Sequence, residues 1–195
     1  MGSADIVSGH VDTAAAGASD NLTDGFRAVA PHLAQRPAAP VLVVGGAGSG
    51  SIGLYAAAQA KALASERVLY LDTDPARRAV AKSYGVETLD HIPDRLDARF
   101  PITVDASGDI RGLSLALASL DRDGVCTCTA IYFDPASQPR LPLLALYTMN
   151  STFITGRIHA RRDAPALLDL LASGRFDHTH PSPLALSPSP TPPMP

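Results

Sequence analysis

The sequence has little of what several function classes need. It holds only two cysteines, Cys126 and Cys128, in 195 residues. No disulfide framework is available, and the chain fits a reducing compartment, read here as the cytoplasm. There is no basic excess: 16 Lys and Arg face 19 Asp and Glu, a net charge of −3. That balance argues against a nucleic-acid partner. No uninterrupted apolar run approaches the ~20 residues of a membrane span. The first residues lack a basic segment followed by an apolar one, so no secretory signal is expected. Proline, by contrast, is plentiful at 17, and much of it falls in Pro181–Pro195 (PSPLALSPSPTPPMP).

These features divide the chain into three parts. Residues 1–19 are small and polar and form a lead segment with no core-building element. Residues 20–177 read as one domain. Residues 178–195 are a Pro/Ser-rich tail, expected to be disordered because proline at that density holds neither helix nor central strand.

Within 20–177 the pattern alternates between strand and helix. Leu22, Phe26, Val29, Ala30 and Leu33 recur at helical spacing, with Asp20 or Asn21 as cap. Val41–Val44 is a continuous β-branched run without alternation, as in a strand buried on both faces. Leu54–Ala64 reads as a helix, Arg67–Asp72 as a strand, and Pro75–Tyr84 as a helix with proline in its first turn. Val86–Leu89 is a short strand, and His91–Phe100 is ambiguous, with room for a short helix. Then come strand Ile102–Ala106, helix Ile110–Leu120, a turn at Asp123-Gly124 and strand Val125–Tyr132. Pro139–Met149 reads as a loop or short helix, Thr152–Ile158 as a sixth strand, and Pro165–Ala172 as the last helix. The rhythm predicts an α/β fold: a six-stranded parallel sheet, doubly wound in the order 3-2-1-4-5-6, with helices on both faces.

The chemical signal follows the first strand. Gly48, Gly50 and Gly53 form G-x-G-x-x-G between a strand and a helix. The first glycine permits the tight turn, the second admits a pyrophosphate against the backbone, and the third lets the helix pack closely on the sheet. The helix start adds free N–H groups and a positive dipole end. Asp72 ends the next strand, 24 positions after Gly48, close to the roughly 20 expected of the acid that accepts from a ribose. This is the dinucleotide-binding, Rossmann-type arrangement, and a carboxylate there favours NAD over NADP. Arg77 and Arg78 complicate that preference, since either can pair with Asp72 or Asp74 or reach a phosphate. A SAM-dependent methyltransferase uses a similar loop and acid and stays open as an alternative. P-loop binding fits less well, since no Gly-Lys-Ser/Thr follows the loop.

Val41–Asp74 (VLVVGGAGSGSIGLYAAAQAKALASERVLYLDTD) resembles the cofactor domain of the zinc-type alcohol dehydrogenases, the medium-chain dehydrogenase/reductase family. The likeness extends to Ser19–Val29, Thr103–Gly108, Asp121–Tyr132 and Leu167–Asp177. It implies an NAD(H)-binding domain of an oxidoreductase acting on alcohols. It places Ser51 and Ile52 as backbone donors to the pyrophosphate, Asp72 on the adenosine ribose and Arg77 near that ribose. Ala106, Ser107 and Gly108 fall at the turn beside the cofactor, and Thr129, Ala130 and Ile131 at the backbone that bonds the nicotinamide carboxamide. The family also implies zinc, but its Gly-His-Glu segment occurs nowhere here, and only 19 residues precede the matching region. The resemblance therefore implies a cofactor domain without its catalytic domain: a truncated product, or half of a split enzyme completed by a separate catalytic-domain chain. No catalytic or metal-ligating residue is assigned. Family members often pair through the sixth strand, so a homodimer through Thr152–Ile158 is expected. The alternative is a non-catalytic nucleotide-binding module or degenerate fragment.

Other candidates read more plainly as structure. Cys126-x-Cys128 on a strand shares one face and offers two ligands at most, so both are read as buried small residues. His178-x-His180 borders the tail. His159 reads as a loop histidine, although its position could bring it toward the nicotinamide end of the cleft. Tyr55, Tyr132 and Phe133 read as packing residues.

Overall fold

The computed structural model describes residues 21–46, 51–132 and 138–176. Their elements, in chain order, are α1 (Asn21–Gln35), β1 (Val41–Val44), α2 (Ser51–Ala62), β2 (Val68–Leu71), α3 (Pro75–Ser83), β3 (Glu87–Leu89), β4 (Phe100–Asp105), α4 (Ile110–Ala118), β5 (Leu120–Cys128), α5 (Leu143–Thr148), β6 (Thr152–Thr155) and α6 (Ala160–Ala172). The six strands make one sheet in the order β3-β2-β1-β4-β5-β6, and every pairing is parallel. This is the α/β doubly wound architecture that the alternation predicts.

The apolar run of β1 explains its central place. All four of its residues are buried, and its pleat sends alternate side chains to opposite faces. Val41 and Val43 join a cluster with Ala28, Val29 and Leu33 of α1 and Ala56, Ala57 and Ala60 of α2. Leu42 and Val44 join a second cluster with Leu113 and Leu117 of α4 and Cys126 and Cys128 of β5. A third cluster seats α6 on α1 and α2 through Leu167 and Leu170 against Leu22, Phe26 and Ala58. Small residues bring these helices close: a Cβ on Gly25 of α1 would lie 2.9 Å from the Ala56 backbone nitrogen of α2.

Several boundaries differ from the sequence reading. The turn at Asp123-Gly124 is built inside β5 as an irregularity. Phe100 pairs with Leu120 and Ile102 with Val125, so five residues of β5 advance against two of β4. The left-handed φ of 59° at Asp123 takes up the excess. Residues 91–99 contain no helix. The last helix starts at Ala160 rather than Pro165, which sits inside it. The fifth and sixth strands stop at Cys128 and Thr155, short of Tyr132 and Ile158. Among the described residues no helix is long and apolar enough to cross a membrane.

Candidate functional site

Three connections that leave the carboxyl ends of central strands meet at one edge of the sheet. Gly45 and Gly46 follow β1, Asp72 follows β2, and Ala106–Gly108 follow β4. The approaches are close. A Cβ on Gly46 would lie 2.5 Å from the Ser107 carbonyl oxygen, and one on Gly45 would lie 2.9 Å from Asp72 Oδ2. Glycine suits both positions: at Gly46 the Ser107 backbone fills the gap, and at Gly45 the Tyr70 ring and the Asp72 carboxylate do. Gly53, in the first turn of α2, lies against Ala106 and Gly45, where a Cβ would meet atoms at 3.2 and 3.4 Å. That matches the close helix–sheet packing expected of the third glycine. Ser51 and Ile52 begin α2, whose first N–H groups have no partner within the helix. The Ser51 hydroxyl accepts from Asn21 Nδ2 at 2.7 Å, which ties α1 to the same turn. Gly48 and Gly50 lie outside the described residues.

Asp72 is directed at the β1 turn but is not bare. Its side chain is 0% exposed. Oδ1 accepts from the Asp74 backbone N–H at 2.8 Å and from Arg77 Nη2 at 2.8 Å. Oδ2 accepts from Arg77 Nε at 2.7 Å and from the Tyr70 hydroxyl. Arg77 also donates from Nη2 to the Gly46 carbonyl at 3.1 Å and pairs with Asp74 Oδ2 at 3.2 Å. Asp74 caps α3 by accepting from the N–H groups of Ala76 and Arg77. Arg78 donates to the Asp72 carbonyl at 2.7 Å. The bidentate bond to Asp72 holds the Arg77 guanidinium above its usual pKa, against a smaller opposing effect of burial.

Beyond β4, Gly108 adopts φ 65°, a left-handed backbone that suits glycine. Ser107 is buried and donates its hydroxyl to Asp105 Oδ1 at 2.6 Å. Asp105 is itself fully buried and also accepts from the Tyr132 hydroxyl at 2.9 Å and the Cys128 thiol at 3.3 Å. Burial, then the Asp105 charge, raises the pKa of both Cys128 and Tyr132. Thr129, Ala130 and Ile131 line a cleft of about 800 Å³ at the carboxyl ends of β5 and β6, with Asp24, Tyr132 and Gly156 on its other walls. The Thr129 N–H already donates to the Asp105 carbonyl at 2.8 Å, so its carbonyl, with the Ala130 and Ile131 backbone, is what this stretch offers a ligand.

Sequence reasoning missed Tyr70, Asp105 and the buried Asp24–Arg27 pair at 2.5 Å, whose guanidinium also donates to the Gly156 carbonyl at 2.7 Å. A period-two reading of β2 places Tyr70 on the face of Asp72 and was the one signal present. Tyr132, read as packing, also uses its hydroxyl. Cys126 and Cys128 are buried and free, as read from the sequence. His159 is exposed at the start of α6, and Phe133 lies outside the described residues. Among the described residues no group of three or more His, Cys, Asp or Glu side chains is placed to hold a metal ion.

No protein-family model and no curated protein matches the chain. Solved structures do. An alcohol dehydrogenase, TADH, from Thermus sp. ATN1 is 27% identical with a TM-score of 0.64, over 82% of this chain and 47% of its own. Zinc dependent alcohol dehydrogenase 2 from Streptococcus pneumonia is 20% identical at 0.65, over 80% and 47%. Acetophenone reductase from Geotrichum candidum NBRC 4597, in complex with NAD, is 19% identical at 0.60, over 77% and 44%. The chain spans about half the length of the structures it matches, and in that half it has the Rossmann-like fold found in zinc-dependent alcohol dehydrogenase structures.

Proposed function

We propose that residues 20–177 are the nicotinamide-dinucleotide-binding domain of a zinc-type alcohol dehydrogenase-like oxidoreductase, with NAD(H) as the cofactor. The observation that supports this most directly is the convergence of the turns after β1, β2 and β4, packed too tightly for any side chain at Gly45 or Gly46, with the Asp72 carboxylate beside them. These residues fit a dinucleotide. The N–H groups of Ser51 and Ile52 donate to the pyrophosphate at the positive end of α2. Asp72 accepts from the adenosine ribose, with Arg77 beside it. Ala106, Ser107 and Gly108 wall the middle of the cofactor. The carbonyl of Thr129 and the backbone of Ala130 and Ile131 hold the carboxamide. The bound cofactor supplies a hydride carrier; this chain binds it, orients it and shields one side.

Zinc does not fit the described residues. The metal and the alcohol would be held by a zinc-type catalytic domain, and residues 20–177 by themselves bind cofactor without turnover. A second copy pairing along β6, the outermost of the described strands, completes the proposed assembly, which is cytoplasmic. The second reading is a non-catalytic or degenerate nucleotide module, favoured by the internal saturation of Asp72.

Titration of the full chain with NADH and NADPH, followed by cofactor fluorescence, tests the first reading. Saturable binding with NADH preferred is expected, and hydride transfer is expected only on mixing with a zinc-type catalytic domain. A folded chain with no detectable NADH binding rejects the site. Binding without transfer on mixing selects the second reading.

A further inference from the structure

Tyr70 is the largest of the fully buried side chains described, and it lies beneath the adenosine end of the site. The two-residue period of β2 sets it on the same face as Asp72. Its ring fills the space under the β1 turn: a Cβ on Gly45 would come within 2.7 Å of Tyr70 Cε2 and 2.8 Å of its hydroxyl, and one on Gly53 within 3.4 Å of Cε2. A phenylalanine ring would fill that layer equally well. The hydroxyl is instead committed to Asp72 Oδ2. Burial, then the adjoining carboxylate, raises the phenol's pKa, so it stays a donor.

A carboxylate offers about four acceptor positions, and all four at Asp72 are taken. Their donors differ in freedom. Tyr70 is clamped below the turn, and the Asp74 N–H belongs to the backbone. Arg77 is the outermost, 13% exposed on a flexible stem. Arg77 is thus the donor that the two hydroxyls of a ribose can replace, while Tyr70 and the Asp74 N–H keep the carboxylate plane fixed.

We propose that Tyr70 is a positioning residue for a nucleotide ribose: its buried hydroxyl holds the Asp72 carboxylate so that the side now bonded by Arg77 is the side offered to the ribose hydroxyl pair. This rests on the dinucleotide reading above. Tyr70 touches no ligand and acts only through Asp72.

The test uses the full chain, NADH, and a reduced dinucleotide whose adenosine ribose lacks both hydroxyls. Tyr70→Phe is expected to weaken NADH binding about tenfold and to leave the dideoxy dinucleotide bound as wild type binds it. A loss through general loosening would fall on both ligands alike. The double variant Tyr70→Phe/Asp72→Asn removes the charge together with its donor and carries the test should Tyr70→Phe not fold. It is expected to bind NADH no worse than Asp72→Asn alone. Unchanged NADH binding by Tyr70→Phe, an equal loss for both ligands, or a further loss in the double variant overturns the proposal. When wild type binds NADH, such a result overturns this assignment alone; a wild type that binds no dinucleotide overturns the underlying reading with it.

Discussion

Cys126 and Cys128 face the layer of the sheet under α4, and their thiols are costly to ionise there. Burial pushes Cys126 up to about 12, against ~8.5 for a free thiol. Above that lower value the unfolded chain releases the proton while the folded chain keeps it. The native state then binds more protons, and stability falls as pH rises. One such thiol contributes at most about 1.4 kcal/mol per pH unit. Cys128, Tyr70 and Tyr132 are raised as well, so they act in the same direction. Urea midpoints measured between pH 8 and pH 10 should decline, and the decline should be shallower in Cys126→Ala. Slopes that coincide would place the thiol in water. At this scale the legible and illegible residues stand side by side. Asp72 was readable because its offset from the glycine motif is a chemical signature. Tyr70 was not, because an aromatic residue in an apolar strand reads as packing. Asp105 was hidden for another reason. Its partners Cys128 and Tyr132 come from a different strand and its exit, and only the β4–β5 register brings them together.

The elements were read best where the physics is local. The β-branched run of β1 and the proline at the start of α3 signal their own structure. Boundaries set by tertiary pairing were not readable: the bulge in β5 looks like a turn until Phe100 is known to pair with Leu120. The α1–α2 contact is another such case. Gly25 inside α1 reads locally as a weak point, worth about 1 kcal/mol against alanine. In the fold it is where α2 crosses: a Cβ would lie 2.9 Å from the Ala56 backbone nitrogen, which cannot swing aside as the Gln59 side-chain oxygen at 3.1 Å could. The overlap should outweigh the propensity gain, so Gly25→Ala should destabilise by about 1–3 kcal/mol in urea unfolding. A stabilised variant would show that the helices part freely. The outer strand raises a separate expectation. Among the described residues β6 pairs only with β5, and Thr152 and Thr155 on it are exposed. If that edge joins two copies, sedimentation should give a dimer, and Thr152→Lys/Thr155→Lys should yield monomers by placing charge along the edge. A wild-type monomer at tens of micromolar would remove the dimer from the proposed assembly.

For the whole molecule the decisive quantity is the coupling between folding and the cofactor. The proposed site is assembled from the ends of β1, β2, β4 and β5, and none of these turns is held in place once the sheet opens. A ligand that needs all of them binds the folded chain and not the unfolded one. Its stabilisation then follows from concentration alone, about 2.7 kcal/mol at one hundred times its dissociation constant. For a domain of this size that corresponds to a rise in melting temperature of roughly 5–10 °C. NADH at such a concentration should therefore shift the melt by that amount, and nicotinamide mononucleotide, which lacks the adenosine half, should give a much smaller shift. Asp72→Asn should reduce the NADH shift measured at the same concentration, because the ribose loses a charged acceptor. The comparison also separates the two halves of the site. An equal shift from the mononucleotide would place the binding energy in the cleft at β5 and β6 and leave the glycine turns and Asp72 as architecture only.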